Sequence, residues 1–454
     1  MRSPCLSQHE GARQDEPSPE CQTRANTASK PPSHSSTVTD EWRDVASLRR
    51  MRVPRWSELA DLARFERPTT SARQRALNRA ASLGDIRRAA RRFTPKAVFD
   101  YTDGSAGEEI ALYRQRALFR NIEFRPTALT DVADINPSTT FLGQQVALPI
   151  GFGPTGFTRM MHHAGEIATA SVAASNNLVF VLSTLGTTSP EHLKTAVPHG
   201  DNWFQLYISK DRSITHDLLD RVEAAGYRTI ELTIDTPVGG IRRRDIRNGL
   251  TVPPRLTSST AIDMALHPYW WWHKLTEEPL EFASLKNSEG TVGELLSRVF
   301  DASLTLDDVA WLRERWGGHL VVKGVQSVKT AIDLAAAGVD AIVLSNHGGR
   351  QLDRAPVPLE LLPNVVEAIP TSEVYIDGGI TDGADALAAI AWGARGVFVG
   401  RAHLYGLMAG GASGVQKVVD LFRDQFMTQM ALLGVRSLSD LTPEHVRIRA
   451  TPNR

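Results

Sequence analysis

The chain has 454 residues, enough for a large core and an added segment. Lys+Arg and Asp+Glu are equal at 51 each, so no net basic field points to nucleic acid. The two cysteines, Cys5 and Cys21, exclude a disulfide-built or zinc-thiolate fold and fit a reducing cytoplasm, and no apolar run approaches the ~20 residues of a membrane-spanning helix.

Residues 1–50 are rich in Ser, Pro, Thr, Gln, Glu and Arg and lack apolar periodicity, so a disordered tail is expected. The tail is polar and broken by Pro, Glu and Asp, unlike a secretory signal. Met51 opens a different texture, Met51-Arg52-Val53-Pro54-Arg55-Trp56. Two readings stand there, translation starting at Met51 or a natural flexible extension. Residues 51–148 read as a helical segment leading into the first strand. Within it, Gly84-Asp85 caps one helix. Thr94-Pro95 restarts a second, with Thr94 as N-cap and Pro95 as the first helical residue. This segment can close the bottom of a barrel or deliver Tyr101 to a site. Composition does not choose.

From Pro149 onward, eight short apolar runs recur, each followed by a polar or glycine-rich break and a helical pattern. They begin at Pro149, Val179, Trp203, Ile230, Leu320, Ala341, Val374 and Gly396. All but one of the intervals span 21 to 33 residues, the length of a strand, a helix and two loops. A count of eight over 149–445 predicts a (β/α)8 TIM barrel, an α/β fold. An open doubly wound sheet is the alternative, disfavoured because no GxGxxG follows the first strand. The 85 residues between Ile234 and Leu320 exceed one repeat, which predicts a loop 4 insertion over about 250–303. It carries His267-Pro268-Tyr269-Trp270-Trp271-Trp272-His273-Lys274. Those tryptophans can form a lid or pack on the flank. They can also enter a membrane headgroup layer.

The sixth run, Ala341 to Leu344, opens directly onto Ser345-Asn346-His347-Gly348-Gly349-Arg350-Gln351-Leu352-Asp353. A histidine and an arginine three residues apart then sit where a buried strand meets a loop. A base beside a fixed cation is what deprotonating an anionic substrate needs. The other strands deliver polar groups at the same end. These are Pro154-Thr155-Gly156, Ser183, Gln205 with Tyr207, Thr233 with Asp235, Lys323, Asp377-Gly378-Gly379 and Gly400-Arg401. Such a ring favours a charged ligand in the mouth, with phosphate at the glycine-rich loops after strands seven and eight.

Together these stretches resemble the FMN-dependent 2-hydroxy acid dehydrogenases and oxidases. The likeness runs from about residue 80 to 445 and includes Phe99-Asp100-Tyr101, Thr233-Ile234-Asp235-Thr236-Pro237 and Val322-Lys323-Gly324-Val325. The His-Pro-aromatic insertion and Gly400-Arg401-Ala402-His403-Leu404-Tyr405-Gly406 resemble the respiratory L-lactate and mandelate dehydrogenase branch, actinobacterial L-lactate dehydrogenases in particular. The resemblance implies FMN as cofactor and His347 as the base, with Asp235 stabilising its imidazolium. Arg350 and Arg242 would clamp the carboxylate, while Tyr101 and Tyr207 hydrogen-bond the substrate. Pro154, Thr155, Gly156, Ser183, Gln205, Thr233, Lys323 and Ser345 would surround the flavin ring and ribityl chain. Asp377, Gly378, Gly379, Gly400 and Arg401 would hold the ribityl and phosphate end. Where the family commonly places arginines, this chain has Thr381-Asp382, leaving Thr381 to donate through its hydroxyl.

The implied reaction is oxidation of L-lactate to pyruvate, with electrons passed to a quinone or cytochrome. An oxidase using O2 is the alternative, and a non-catalytic barrel binding a partner through the Trp-rich loop is a third reading. A homo-tetramer is the assembly implied. The location implied is the cytoplasm, at the inner face of the membrane if the insertion binds lipid. No metal is expected.

Overall fold

A computed structural model describes residues 71–249, 262–263, 265–285 and 299–449. The expectations for the tail, for Met51 and for residues 51–70 lie outside the described residues, as does much of the loop 4 insertion.

Eight parallel strands close into a barrel: β1 (Ile150–Phe152), β2 (Val179–Ser183), β3 (Asn202–Leu206), β4 (Thr229–Thr233), β5 (His319–Val325), β6 (Ala341–Leu344), β7 (Glu373–Asp377) and β8 (Gly396–Val399). β8 pairs back onto β1 through Val397 opposite Ile150, so no edge remains. The strands are apolar on both faces, as a sheet covered by helices outside and packed side chains inside requires. Outward residues such as Ile230, Leu232, Val322 and Leu344 join the main core beneath the helices. Inward residues Val181, Trp203, Val321, Val343, Tyr375 and Phe398 fill the interior.

Among the described residues, four helices precede the barrel: α1 (Ala72–Arg79), α2 (Leu83–Phe93), α3 (Lys96–Asp103) and α4 (Ile110–Arg120). α2 is capped by Ser82, whose hydroxyl accepts from the Asp85 amide at 3.2 Å. Asp85 in turn accepts from the Ala81 amide at 3.1 Å, so the cap is reciprocal and begins earlier than the expected Gly84-Asp85. Pro95 is itself the N-cap of α3, one residue beyond the expected Thr94. Leu83, Ile86, Ala89 and Ala90 form the buried face of α2, which packs on α6 (Arg401–Leu433), two helical stretches joined by a break at Gly410-Gly411.

The bottom of the barrel is closed by a two-stranded hairpin, Thr139–Phe141 with Gln144–Val146, rather than by a helix. Phe141 is fully buried there, its ring centroid 4.8 Å from that of Tyr375 and 5.8 Å from that of Phe398. α3 instead carries Tyr101 to the other end. The choice left open by composition is thus resolved in favour of the site.

In the insertion, helix α5 (Pro268–Thr276) docks one face on the barrel: Trp270 Nε1 donates to Met160 O at 2.8 Å, and Lys274 Nζ donates to Arg159 O. Its other face is bare, with Trp272 66% and Leu275 76% exposed. The tryptophans therefore divide between packing and solvent.

The interior holds one unexpected carboxyl. Glu231 on β4 is fully buried, and neither of its oxygens has a hydrogen-bond partner. Burial pushes its pKa up to about 8, with Lys323 opposing the shift and Asp377 and Asp235 adding to it. It is protonated at neutral pH. Below pH 4.5, the ordinary carboxyl value, folded and unfolded forms both hold the proton and the group contributes nothing to pH dependence. Between there and about pH 8 only the unfolded form releases it, so stability falls as pH rises and then levels off. Glu231→Gln is expected to remove that slope. Urea melts of the variant should lose less stability from pH 5 to pH 8 than the parent, by a few kcal/mol, on the order of one pKa unit per 1.4 kcal/mol. Equal slopes would contradict the assignment.

Candidate active site

β6 ends at Leu344, and the chain turns immediately through Ser345 and Asn346 to His347. Asn346 organises the turn: its side-chain oxygen accepts from the Gly349 amide at 3.0 Å and from Gln115 Nε2 at 2.7 Å. His347 adopts φ 57°, the left-handed region that non-glycine residues rarely occupy. Local strain of this kind persists only where surroundings enforce it. Its amide donates to Ser345 Oγ at 3.0 Å, and its Nδ1 lies 2.9 Å from Asp235 Oδ1. With Nδ1–H given to the carboxylate, Nε2 carries the lone pair and is the basic nitrogen. Burial raises the Asp235 carboxyl, but the charge and hydrogen bond of His347, followed by Lys323, outweigh it and hold the group below the usual range. Asp235 is therefore an anion able to stabilise the imidazolium.

Gly324 makes room for this pair. The β5–β6 register shifts between Lys323 and Val325, and Gly324 bulges there with φ 98°. A Cβ at this position would lie 2.7 Å from Asp235 Cγ. Gly324→Ala is expected to cost about 2 kcal/mol or more in stability, because strain and clash add. It should also slow substrate oxidation by displacing Asp235. Thermal melts and turnover unchanged from the parent would refute the account.

Two guanidinium groups flank one phenol ring. Arg350 Cζ is 5.0 Å and Arg242 Cζ 5.4 Å from the Tyr101 ring centroid. Arg350 Nη1 donates to Tyr101 O at 2.5 Å and Gly104 O at 3.0 Å. Its other donors have no protein partner among the described residues. Burial and the nearby Arg242 charge push Arg350 down to about 10, which leaves it cationic at neutral pH. Arg242 is held by Asp245, Nε to Oδ2 at 3.3 Å. Burial, with Asp235 adding, pushes the Tyr207 hydroxyl up, so it stays a neutral donor. A cavity of about 350 Å³ opens beside Tyr207 and Thr233, lined further by Pro237, Val299, Phe300 and Leu304.

The neighbouring strand ends carry buried polar atoms that the protein leaves unsatisfied. Lys323 Nζ is held by Asp377 Oδ2 at 2.8 Å and donates to Ser345 Oγ at 2.9 Å. Burial lowers it, but the carboxylates of Asp377, foremost, and Asp235 outweigh that cost and keep Lys323 charged. Ser183 Oγ donates to Gln205 Oε1 at 3.0 Å, which turns Gln205 Nε2 outward. Gln205 Nε2, Thr233 Oγ1 and Asp377 Oδ1 are all buried without a partner. Orphaned groups of this kind, beside one buried cation, suit a planar heterocycle with donors and acceptors on its edge. Pro154, Thr155 and Gly156 follow β1, and the bare Cα of Gly400 faces Thr155.

At the phosphate end the backbone does more than side chains. Gly378 and Gly379 have φ 88° and 82°, and a Cβ on either would strike Gln115 or Phe119. Gly400 begins α6 without a side-chain cap, leaving amides at a helix N-terminus. Two residues expected at the phosphate also bond within the protein. Arg401 donates to Thr102 O, Gly104 O and Gly348 O at 3.0, 2.8 and 2.9 Å. Thr381 gives its amide and its hydroxyl to Asp385 Oδ2, at 2.7 and 3.0 Å. Arg401 thereby links the Tyr101 loop to the His347 turn.

Other residues of the signature act as fasteners. Gln351 accepts from the Gly240 amide at 3.1 Å and donates to Val238 O at 2.8 Å. Asp353 accepts from the Glu108 and Ala111 amides at the start of α4, at 2.8 and 2.9 Å. Their short polar side chains after a glycine pair were the only sequence signal of these roles.

A histidine–aspartate base, an arginine–tyrosine clamp and a polar ring at the mouth of a closed barrel define a redox site for a small anionic substrate. The chain belongs to the FMN-dependent dehydrogenase family, whose pattern matches residues 90–448. It is 51% identical over 396 residues to a protein assigned as L-lactate dehydrogenase in Mycobacterium tuberculosis, covering 87% of this chain and 96% of that protein. An L-lactate oxidase of Nostoc is 38% identical, over 81% of this chain and 98% of that one. Among solved structures, the monotopic membrane protein (S)-mandelate dehydrogenase superposes with a TM-score of 0.79 at 33% identity, over 82% of this chain and all of that one. FMN is thus the cofactor, and the unsatisfied ring of polar atoms fits it.

Proposed function

We propose that this protein oxidises L-lactate to pyruvate and passes the electrons to a membrane quinone or a cytochrome. The observation that carries the reading is the His347–Asp235 pair standing at the same barrel mouth as the Arg242–Tyr101–Arg350 clamp. The two arginines bind the carboxylate, a task suited to planar guanidinium groups. Tyr101 and Tyr207 orient the hydroxy acid. His347 Nε2 takes a proton from the substrate, and Asp235 stabilises the charge it gains. Bound FMN supplies the two-electron acceptor. Gln205, Thr233, Lys323 and Asp377 would hold its ring, and the Gly378-Gly379 turn and the start of α6 its phosphate.

Membrane attachment is supported by the bare face of α5. Ile262, Leu266, Trp272 and Leu275 are each more than 60% exposed within one short stretch. No helix among the described residues is long and apolar enough to cross a membrane, so attachment would be peripheral. The monotopic relative supports the same reading. A homo-tetramer is the proposed assembly.

The test is an anaerobic visible spectrum before and after L-lactate. Bleaching of the yellow bands is expected. A yellow protein that L-lactate leaves unbleached, but a larger 2-hydroxy acid reduces, would move the substrate into the cavity beside Tyr207. Stoichiometric peroxide on admitting O2 would favour the oxidase reading, which the 38% identity to the Nostoc L-lactate oxidase keeps in view.

A further inference from the structure

His163, His273 and Glu277 form a second cluster, outside the flavin mouth. His163 follows the short helix after β1. His273 and Glu277 stand four residues apart at the end of α5, so both face the barrel. Nδ1 of His163 and Nδ1 of His273 each lie 3.0 Å from the same oxygen, Glu277 Oε1. The two imidazole rings are parallel, 3.7 Å between centroids and 3° between planes. The candidate ligand atoms all lie within 4.8 Å of one another. A tyrosine orients the set from outside: Tyr269 OH is 3.2 Å from His163 Nε2.

We propose that these three side chains bind one borderline divalent ion, Zn2+ by preference, which pins the loop 4 helix to the barrel. Two imidazoles and one carboxylate are the donor set such an ion takes, and hard cations such as Mg2+ or Ca2+ avoid it. A tetrahedral zinc ion with bonds of about 2.0–2.1 Å needs neighbouring donors roughly 3.3 Å apart. Both nitrogen–oxygen spacings, 3.0 Å, are near that value, and seating the ion requires the two imidazoles to turn out of their parallel stack so that both lone pairs converge on it. The side chains are 25 to 30% exposed, which leaves an open side for a water ligand. With Nδ1 of His163 turned to the ion, Nε2–H donates to Tyr269 OH and fixes the ring, a role commonly filled by an outer partner.

The surroundings also set a limit. Arg159 Nη2 lies 3.9 Å from Glu277 Oε2, Lys274 sits beside both imidazoles, and Arg73 stacks over Tyr269. These cations, with His162 adjoining, compete with a dication. The affinity is therefore expected to be moderate and to weaken as pH falls. The bound ion crosses from the barrel to the element whose bare face carries Trp272 and Leu275, so it stiffens the proposed membrane element without touching the flavin site.

The experiment uses the full-length, FMN-loaded protein, stripped with EDTA and dialysed. Zinc is titrated by calorimetry and by competition with a chromogenic chelator. One ion per chain is expected, and His163→Gln, His273→Gln and Glu277→Gln should each weaken binding tenfold or more. FMN content and anaerobic bleaching by substrate should stay at the parent level in all three, which separates this site from the reaction. Zinc should also raise the thermal midpoint of the parent and not of the variants. Absence of stoichiometric binding, or zinc affinity unchanged in all three variants, would overturn the proposal and leave the cluster a hydrogen-bonded clamp.

Discussion

His347→Gln is expected to retain FMN and to reduce it with L-lactate about 10³-fold more slowly than the parent. The glutamine can keep a hydrogen bond toward Asp235 and preserve the turn, but it offers no basic nitrogen. Positioned general bases contribute roughly 10²–10⁴-fold, and this one has no titratable substitute within reach of its partner. Among the described residues, the only carboxylate bonded to it is Asp235, whose side chain is buried and faces Nδ1. Stopped-flow reduction monitored at the flavin band provides the measurement. A reduction rate within tenfold of the parent, with FMN bound, would remove His347 from the reaction.

Arg350→Met comes second in expected size. Burial and the Arg242 charge push the Arg350 guanidinium down to about 10, still cationic at neutral pH, and a bound carboxylate would relieve the repulsion between the two cations. Losing one half of a desolvated charge pair typically costs about 2–5 kcal/mol. The ratio kcat/KM for L-lactate should therefore fall by roughly 10²-fold or more. Arg350→Lys is expected to recover little, since an ammonium cannot keep Tyr101 O and Gly104 O while also forking to a carboxylate. Kinetics of both variants against L-lactate check this. An unchanged KM in Arg350→Met would assign the clamp to Arg242 alone.

The barrel was legible because its strands are apolar on both faces and spaced evenly, and all eight runs became strands. The position of His347 was legible because Ala341–Leu344 must emerge at the mouth, which places the following histidine there. Its pairing with Asp235 was not readable from spacing, since the partners are 112 residues apart and meet only through the bulge at Gly324. Cap positions slipped by one to three residues, at Ser82 and Pro95, where neighbouring cap formers compete. The carbonyl partners of Arg401 were not readable for a different reason. A guanidinium on a five-donor fork takes whatever acceptors the fold brings, and Arg401 met carbonyls nearly 300 residues away in sequence. Glu231 did leave a signal, a lone acid in the apolar run Thr229-Ile230-Glu231-Leu232-Thr233, but nothing in sequence says whether such a residue faces the barrel axis.

The Gly104 carbonyl accepts from both Arg350 and Arg401. A single peptide oxygen ahead of the first strand thus terminates two cations that leave the sixth and eighth. The barrel and the helices before it are for this reason not separable modules. A swap of the N-terminal segment between relatives would change substrate affinity even with every barrel residue retained, and a search for variants with altered substrate charge would encounter misfolding before new specificity. In this protein evolvability at the carboxylate clamp is limited by architecture as much as by chemistry.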